Sequence, residues 1–393
     1  MRIYLDHAAT TYLDPRVLEQ MMPYFTDKFG NPSSQHSFGQ EAMHAVDRSR
    51  KQIAEALGAK DNEIYFTSGG TESDNWAVKG IAYAHRAKGN HIITSLIEHP
   101  AVLNSCKYLE RAGYEVTYLS VDSEGVISLD ELKKAIKDTT VLISIMAINN
   151  EIGSIQPIAG IGEIAKEHKI IFHTDAVQAI GTAVIDVKAM NIDALSLSAH
   201  KFYGPKGIGA LYLRNGVRID RYQSGGGQER NMRAGTYNTA SIVGMAAAME
   251  IAVRDRETNN ANISAVRNHF VERVLNEIPY VRFNGPKLNR APGNANFSFE
   301  FIEGESLLLN LDLDGIATSS GSACSSGSLE PSHVLLATGL DHATAQGTIR
   351  FSFGKDNTIE EADYTVEALK KIVTRLRVLS PLFNEDKGVP VYV

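Results

Sequence analysis

Lys201 closes the segment Leu195-Ser196-Leu197-Ser198-Ala199-His200-Lys201 and is followed at once by Phe202-Tyr203-Gly204-Pro205-Lys206-Gly207. An alternating apolar strand that ends in Ser-x-His-Lys and enters a Gly/Pro turn fixes the lysine's backbone on both sides. Partial desolvation at such a place lowers the basicity of the amine, so its neutral form can attack a carbonyl and form an imine. Ser198 and His200 can hold an anion beside it, and a carbonyl compound that also carries a phosphate would use both features. The plainer alternative is one more surface lysine, which the motif alone does not exclude.

A second chemical stretch is Ser319-Ser320-Gly321-Ser322-Ala323-Cys324-Ser325-Ser326-Gly327-Ser328. A structural cysteine is usually a small hydrophobe among apolar neighbours. Cys324 has only Ser, Gly and Ala around it, so its thiol reads as functional. Cys106, at helical spacing within Leu103 to Leu109, reads as structural.

These groups need a scaffold, and the pattern from Ile64 onward supplies one. Strands are expected over Ile64 to Thr67, His91 to Ser95, Glu115 to Leu119, Val141 to Ile148 and Ile170 to Thr174. Helices are expected between them over Glu72 to Ala87, Pro100 to Ala112, Leu129 to Ile136 and Ile158 to His168, after an earlier helix over Glu41 to Leu57. This alternation implies an α/β fold with a mostly parallel central sheet and helices on both faces. Ligands of such sheets bind beyond the carboxyl ends of the strands. Ser68-Gly69-Gly70-Thr71, Asn149-Asn150-Glu151, Asp175 and Lys201 all fall there, so one crevice can hold a phosphate, a carboxylate and an imine-forming amine.

Beyond Leu213 the alternation loosens. A helix over Ala240 to Arg254, another over Ile263 to Ile278, strands near Val281 to Phe283 and Ala295 to Glu300, and a last helix over Ile359 to Leu379 read as a smaller α+β unit. The Asn-rich, charged segment Arg254 to Asn262 reads as the linker. The expected division is 15–258 for the large domain and 1–14 with 259–393 for the small one, which carries the cysteine loop at about 319–332.

The chain has 393 residues, 39 Lys+Arg against 46 Asp+Glu, and a net charge of −7. That balance argues against nucleic acid or an anionic membrane as the main partner. Two cysteines form no disulfide framework and no zinc-site spacing, which points to a reducing compartment. Asp6 follows the start too closely for a signal-peptide apolar region, so a cytoplasmic protein is expected.

The combination resembles the cysteine desulfurases, NifS/IscS-like pyridoxal-phosphate enzymes of fold type I within the class-V aminotransferases. Ser-Ser-Gly-Ser-Ala-Cys324 with Leu329-Glu330-Pro331-Ser332-His333 is similar to the signature of their long-loop class. The likeness runs from Tyr4-Leu5-Asp6-His7-Ala8-Ala9-Thr10-Thr11 through Thr67 to Asn75 and on to Leu379-Ser380-Pro381-Leu382. It implies pyridoxal 5′-phosphate as cofactor and removal of sulfur from L-cysteine, giving L-alanine and a persulfide on Cys324. It implies donation of that sulfur to an acceptor protein for iron–sulfur cluster assembly or thiolation.

By the same resemblance Lys201 is the Schiff-base lysine and the acceptor of the substrate's α-proton. His99 stacks on the pyridine ring and serves as acid or base, and Asp175 pairs with the pyridine nitrogen. Gln178 and Asn150 contact the ring oxygen or the substrate; Gly70, Thr71, Ser198 and His200 hold the phosphate. Thr236 reaches the phosphate of a neighbouring subunit, which implies a homodimer, and Arg350 clamps the substrate carboxylate. No metal is implied in the resting enzyme, with Cys324 available as a transient iron–sulfur cluster ligand. Each residue has a plainer reading beside this one: His99 as a helix-start residue, Asp175 as a cap, Arg350 as an ion-pair partner. A selenocysteine lyase or an aminotransferase is the rival within the fold type, and a sulfur carrier without turnover is the rival outside it.

Overall fold

The computed structural model describes residues 2–320, 331–384 and 389–390. Among these, the strands taken up here are β1 (Ile3–Tyr4), β2 (Ile64–Thr67), β3 (His91–Ser95), β4 (Glu115–Leu119), β5 (Thr140–Ser144), β6 (Ile171–Asp175), β7 (Ala194–Ser198), β8 (Gly209–Leu213), β9 (Val281–Asn284), β10 (Asn294–Phe299), β11 (Ile316–Ala317) and β12 (Thr348–Ser352). The largest sheet has the order β2-β8-β7-β6-β5-β3-β4. Its neighbours pair in parallel except for β8, which runs antiparallel to both β2 and β7. This is the mixed α/β, mostly parallel architecture that the alternation implies.

Helices cover both faces, so every residue of β3, β5, β7 and β8 is buried. On one face Val46, Ile53 and Leu57 meet Met245 and Met249. On the other, Trp76, Ile81, Val102 and Leu109 pack together. A separate apolar cluster joins Ile3 and Leu5 to Phe270, Phe297, Phe351 and Leu369 around the sheet β12-β10-β9. The N-terminal strand β1 pairs in parallel with β11 and so lies with this second cluster.

Three expected elements differ. The helix expected from Glu41 begins at Ser37, because His36 caps it by accepting from the Gly39 N–H at 3.3 Å. The strand expected to reach Ile148 ends as a regular element at Ser144, although Ile145 and Ala147 still donate to His173 and Asp175 of β6. The segment read as a linker is helical: Thr258 lies inside the helix Arg256–Glu277, which follows the helix Thr239–Arg254 directly. There the Asn260 amide donates to the Thr182 carbonyl at 2.7 Å, a tertiary contact that offsets the weak helix preference of the asparagines.

Candidate active site

The carboxyl ends of β2, β3, β5, β6 and β7 gather the residues singled out by their types. Lys201 ends a short 3₁₀ turn after β7. Its Nζ donates to the carbonyls of Ala8 at 2.5 Å and Ala9 at 2.8 Å. The Gln178 amide donates to the same Ala8 carbonyl at 2.9 Å. His200 Nδ1 lies 3.0 Å from Thr10 Oγ1, and burial, with Lys201 and Lys206 beside it, pushes this imidazole down to about 4. The N-terminal loop 6–11 therefore ties Lys201, Gln178 and His200 together.

Asp175 is buried at the end of β6 and accepts from the Val177 N–H at 2.9 Å. Burial pushes its carboxyl above the usual carboxylate range, opposed by the charges of His99 and Lys201. His99 caps the helix Pro100–Arg111, accepting at Nδ1 from the Ala101 N–H at 3.1 Å. Burial holds its ring below the usual imidazole range, Asp175 opposing and Lys201 and His333 reinforcing. The plainer reading of His99 as a helix-start residue is thus correct as far as it goes, and it leaves Nε2 for other work.

Ser68, Gly69, Gly70 and Thr71 turn from β2 into the helix Gly70–Asn75, with Gly69 at φ 154°. They line a cavity of about 380 Å³ together with Thr10, Ser198, His200 and Lys206. A Cβ on Gly70 would stand 2.6 Å from Val177 Cγ2, so that backbone is closely packed from below. Thr236 is exposed and lines a neighbouring cavity shared with Ser68 and Gly207. Cys324 lies outside the described residues.

Arg350 reaches this region from β12. Its guanidinium donates to Asp6 Oδ1 at 2.8 Å and to the Asn150 carbonyl at 3.0 Å, and its Nε is buried without a partner. The ion-pair reading and the substrate reading of Arg350 therefore bear on one and the same side chain.

Several groups here went unassigned in the sequence. Glu98, next to His99, is fully buried and pushed up to about 8 by burial. Asp74 is buried with Oδ1 unpaired, 3.7 Å from His173 Nε2, and burial next to Asp175 holds it well above the carboxylate range. Glu151 accepts from the Ser332 hydroxyl and is pushed up to about 7 by burial. Asp6 and the Ala8 and Ala9 carbonyls gave no signal beyond a small-residue loop, because main-chain carbonyls are invisible to residue type.

The geometry defines an anion cradle, a buried carboxylate and a lysine amine at one edge of a doubly covered sheet, as in fold-type-I pyridoxal-phosphate enzymes. Residues 3–365 match the family model described as Aminotransferase class-V. The chain is 55% identical over 386 residues to cysteine desulfurase IscS of Clostridium botulinum, covering 98% of this chain and 97% of that one. It is 56% identical over 384 residues to cysteine desulfurase IscS of Methanosarcina thermophila, covering 98% and 95%. A solved structure titled NifS-like protein superposes with a TM-score of 0.91 at 41% identity, over 96% of this chain and all of that one. The chain belongs to the class-V aminotransferase family, among its cysteine desulfurases.

Its cofactor is pyridoxal 5′-phosphate, and the residues present fit it. A Cβ on Gly69 would stand 3.7 Å from Ser198 Oγ, its nearest contact, so the turn leaves open space there; Ser198, His200, Thr71 and Lys206 supply anion-binding groups, and Asp175 offers a buried carboxylate to a protonated ring nitrogen.

Proposed function

We propose that the chain removes the sulfur of L-cysteine, releases L-alanine and carries the sulfur as a persulfide on Cys324 to an acceptor protein of iron–sulfur cluster assembly or another thiolation pathway. One observation carries this reading: Lys201, Asp175 and the Ser68 to Thr71 turn converge on one sheet edge that Arg350 reaches from another sheet. When bound, pyridoxal phosphate supplies the carbonyl that takes the substrate amine and the ring that accepts the electrons of the Cα–H bond.

The residues do the rest. Gly70, Thr71, Ser198 and His200 hold the phosphate, Asp175 keeps a proton on the ring nitrogen, and His99 covers the ring. Arg350 takes the substrate carboxylate with Asn150 and Gln178 beside it, through charge-assisted hydrogen bonds. Lys201 Nζ accepts the α-proton and returns one to the carbon that loses sulfur. The Cys324 thiolate attacks the substrate sulfur; an S–S bond forms as the C–S bond breaks, and the carbon product leaves as alanine.

A cytoplasmic homodimer in which Thr236 completes the partner's phosphate site belongs to the same reading. The dimer is supported by the exposed aromatic rings of Phe25 (57%), Phe29 (66%) and Phe38 (51%), of which Phe29 and Phe38 lie with centroids 5.8 Å apart. The division into 15–258 and 1–14 with 259–393 is supported by the separate apolar cluster that unites Ile3 and Leu5 with Phe351. No described helix is long and apolar enough to cross a membrane.

The test is incubation of the purified enzyme with L-cysteine and a thiol reductant, measuring alanine and sulfide together. Equal amounts of both, lost in Cys324→Ser, are expected; turnover without alanine would overturn the reading.

A further inference from the structure

The substrate clamp already holds a carboxylate. Arg350 has 3% of its side chain exposed, and its Nη2 donates to Asp6 Oδ1 at 2.8 Å while Nε has no partner. A carboxylate on a guanidinium edge commonly takes two parallel hydrogen bonds, and Asp6 takes one. Asp6 itself is 19% exposed, so solvent or a ligand can reach it.

Asp6 is two residues from the carbonyl that holds Lys201. The chain from Asp6 to Ala9 is short and stiffly tied. The Asp6 carbonyl accepts from the Ala9 N–H at 3.0 Å, and the Ala8 N–H donates to Ser352 Oγ at 2.9 Å. The Ala8 and Ala9 carbonyls accept from Lys201 Nζ, and Ala8 also accepts from Gln178. The Asp6 carboxylate therefore stands at the head of the tied loop that lines the site beside Lys201 and Gln178.

We propose that Asp6 is a specificity-determining residue: a resident carboxylate on Arg350 that the carboxylate of an incoming α-amino acid displaces. This rests on the reading of Arg350 as the substrate clamp. A ligand without a carboxylate cannot make the exchange, so it meets Arg350 still paired. The resident group also lowers apparent affinity for every carboxylate ligand by the fraction of Arg350 it occupies.

The test uses the holoenzyme and two inhibitors of L-cysteine turnover: 3-mercaptopropionate, which keeps the carboxylate and lacks the amine, and cysteamine, which keeps the amine and lacks the carboxylate. Asp6→Asn preserves size and an acceptor oxygen but removes the competing charge. It is expected to tighten 3-mercaptopropionate by about tenfold, as for an arginine occupied about nine-tenths of the time, and to leave cysteamine within about twofold. A weaker or unchanged inhibition constant for 3-mercaptopropionate overturns the proposal, since a residue that merely orients Arg350 would weaken it. Arg350→Ala separates the two levels. If it leaves 3-mercaptopropionate binding intact, the clamp reading fails and the proposal with it; if it abolishes that binding and Asp6→Asn does not tighten it, the proposal alone fails. Wild-type enzyme gives a second readout that needs no variant: amide hydrogen exchange over residues 6–11 should speed up when 3-mercaptopropionate is added, and unchanged exchange overturns the exchange of carboxylates.

Discussion

The Ser95 hydroxyl donates to Glu98 Oε1 at 2.5 Å just beyond β3, while the second carboxyl oxygen of Glu98 is buried with no partner. The Met146 N–H donates to the same Oε1 at 3.1 Å. Two neutral donors do not offset full burial, and the group is pushed from 4.5 up to about 8. It is a neutral acid at neutral pH, one position from His99.

The unfolded chain releases that proton above about pH 4.5, and the folded one keeps it to about pH 8. Wild-type stability therefore falls as pH rises through this window, by up to about 1.4 kcal/mol per pH unit from this group. Glu98→Gln has no such titration, so the difference between wild type and variant should grow in the variant's favour from pH 5 to pH 8. Urea unfolding at several pH values measures it. Parallel profiles would show that Glu98 is already ionised in the fold.

His99 titrates in the opposite sense. Burial favours its neutral form, so the ring remains an acceptor below pH 6.5. If His99 is the acid–base partner, the acid limb of the kcat/KM profile for L-cysteine lies below pH 6.5. His99→Gln should remove that limb and lower kcat by about 10²- to 10⁴-fold. A limb at or above pH 6.5 that survives the substitution would assign it to another group.

The strand ends were legible because each carries a distinctive type at the point where an apolar run stops: Asp175 after β6, Lys201 after β7, the glycine turn after β2. The covered sheet was legible because fully buried strands read as apolar runs. Contacts made by main chain or across hundreds of residues were not. Nothing local in Asp6-His7-Ala8 says that Ala8 meets Lys201 and Gln178, or that Asp6 meets Arg350 344 residues away. The start of the helix Arg256–Glu277, ahead of the expected Ile263, was missed for the same reason, since its asparagines favour turns until Asn260 finds Thr182.

Glu229 gave no sequence signal either, although it underpins β2. Arg50 donates to its carboxylate at 2.8 and 2.7 Å and the Phe66 N–H at 2.9 Å, with both side chains buried. Removing one partner of such a pair leaves the other charge buried and unmatched. Glu229→Gln is expected to cost about 3–5 kcal/mol of stability in equilibrium denaturation. The exposed pair Lys134 and Glu131 is the contrast, and Glu131→Gln should leave the melting curve unchanged within error.

Gly209 separates the cradle from β7. A Cβ there would stand 2.5 Å from the Leu197 carbonyl oxygen and 2.7 Å from Gly69 Cα, and both neighbours are main chain. Neither can turn aside as a side chain could, so Gly209→Ala must either spread the β7–β8 pairing or push Gly69 toward the cavity lined by Thr71, Ser198 and His200. Spreading the pair costs about 1–3 kcal/mol, the usual range for overpacking a filled core. Displacing Gly69 narrows the space for the phosphate. Purified Gly209→Ala should therefore be both less stable to urea and substoichiometric in pyridoxal phosphate, and added cofactor should restore stability only in part. Full stability with full cofactor content would mean that the turn after β2 yields at no cost, and that the close backbone approach at Gly69 does not shape the cradle.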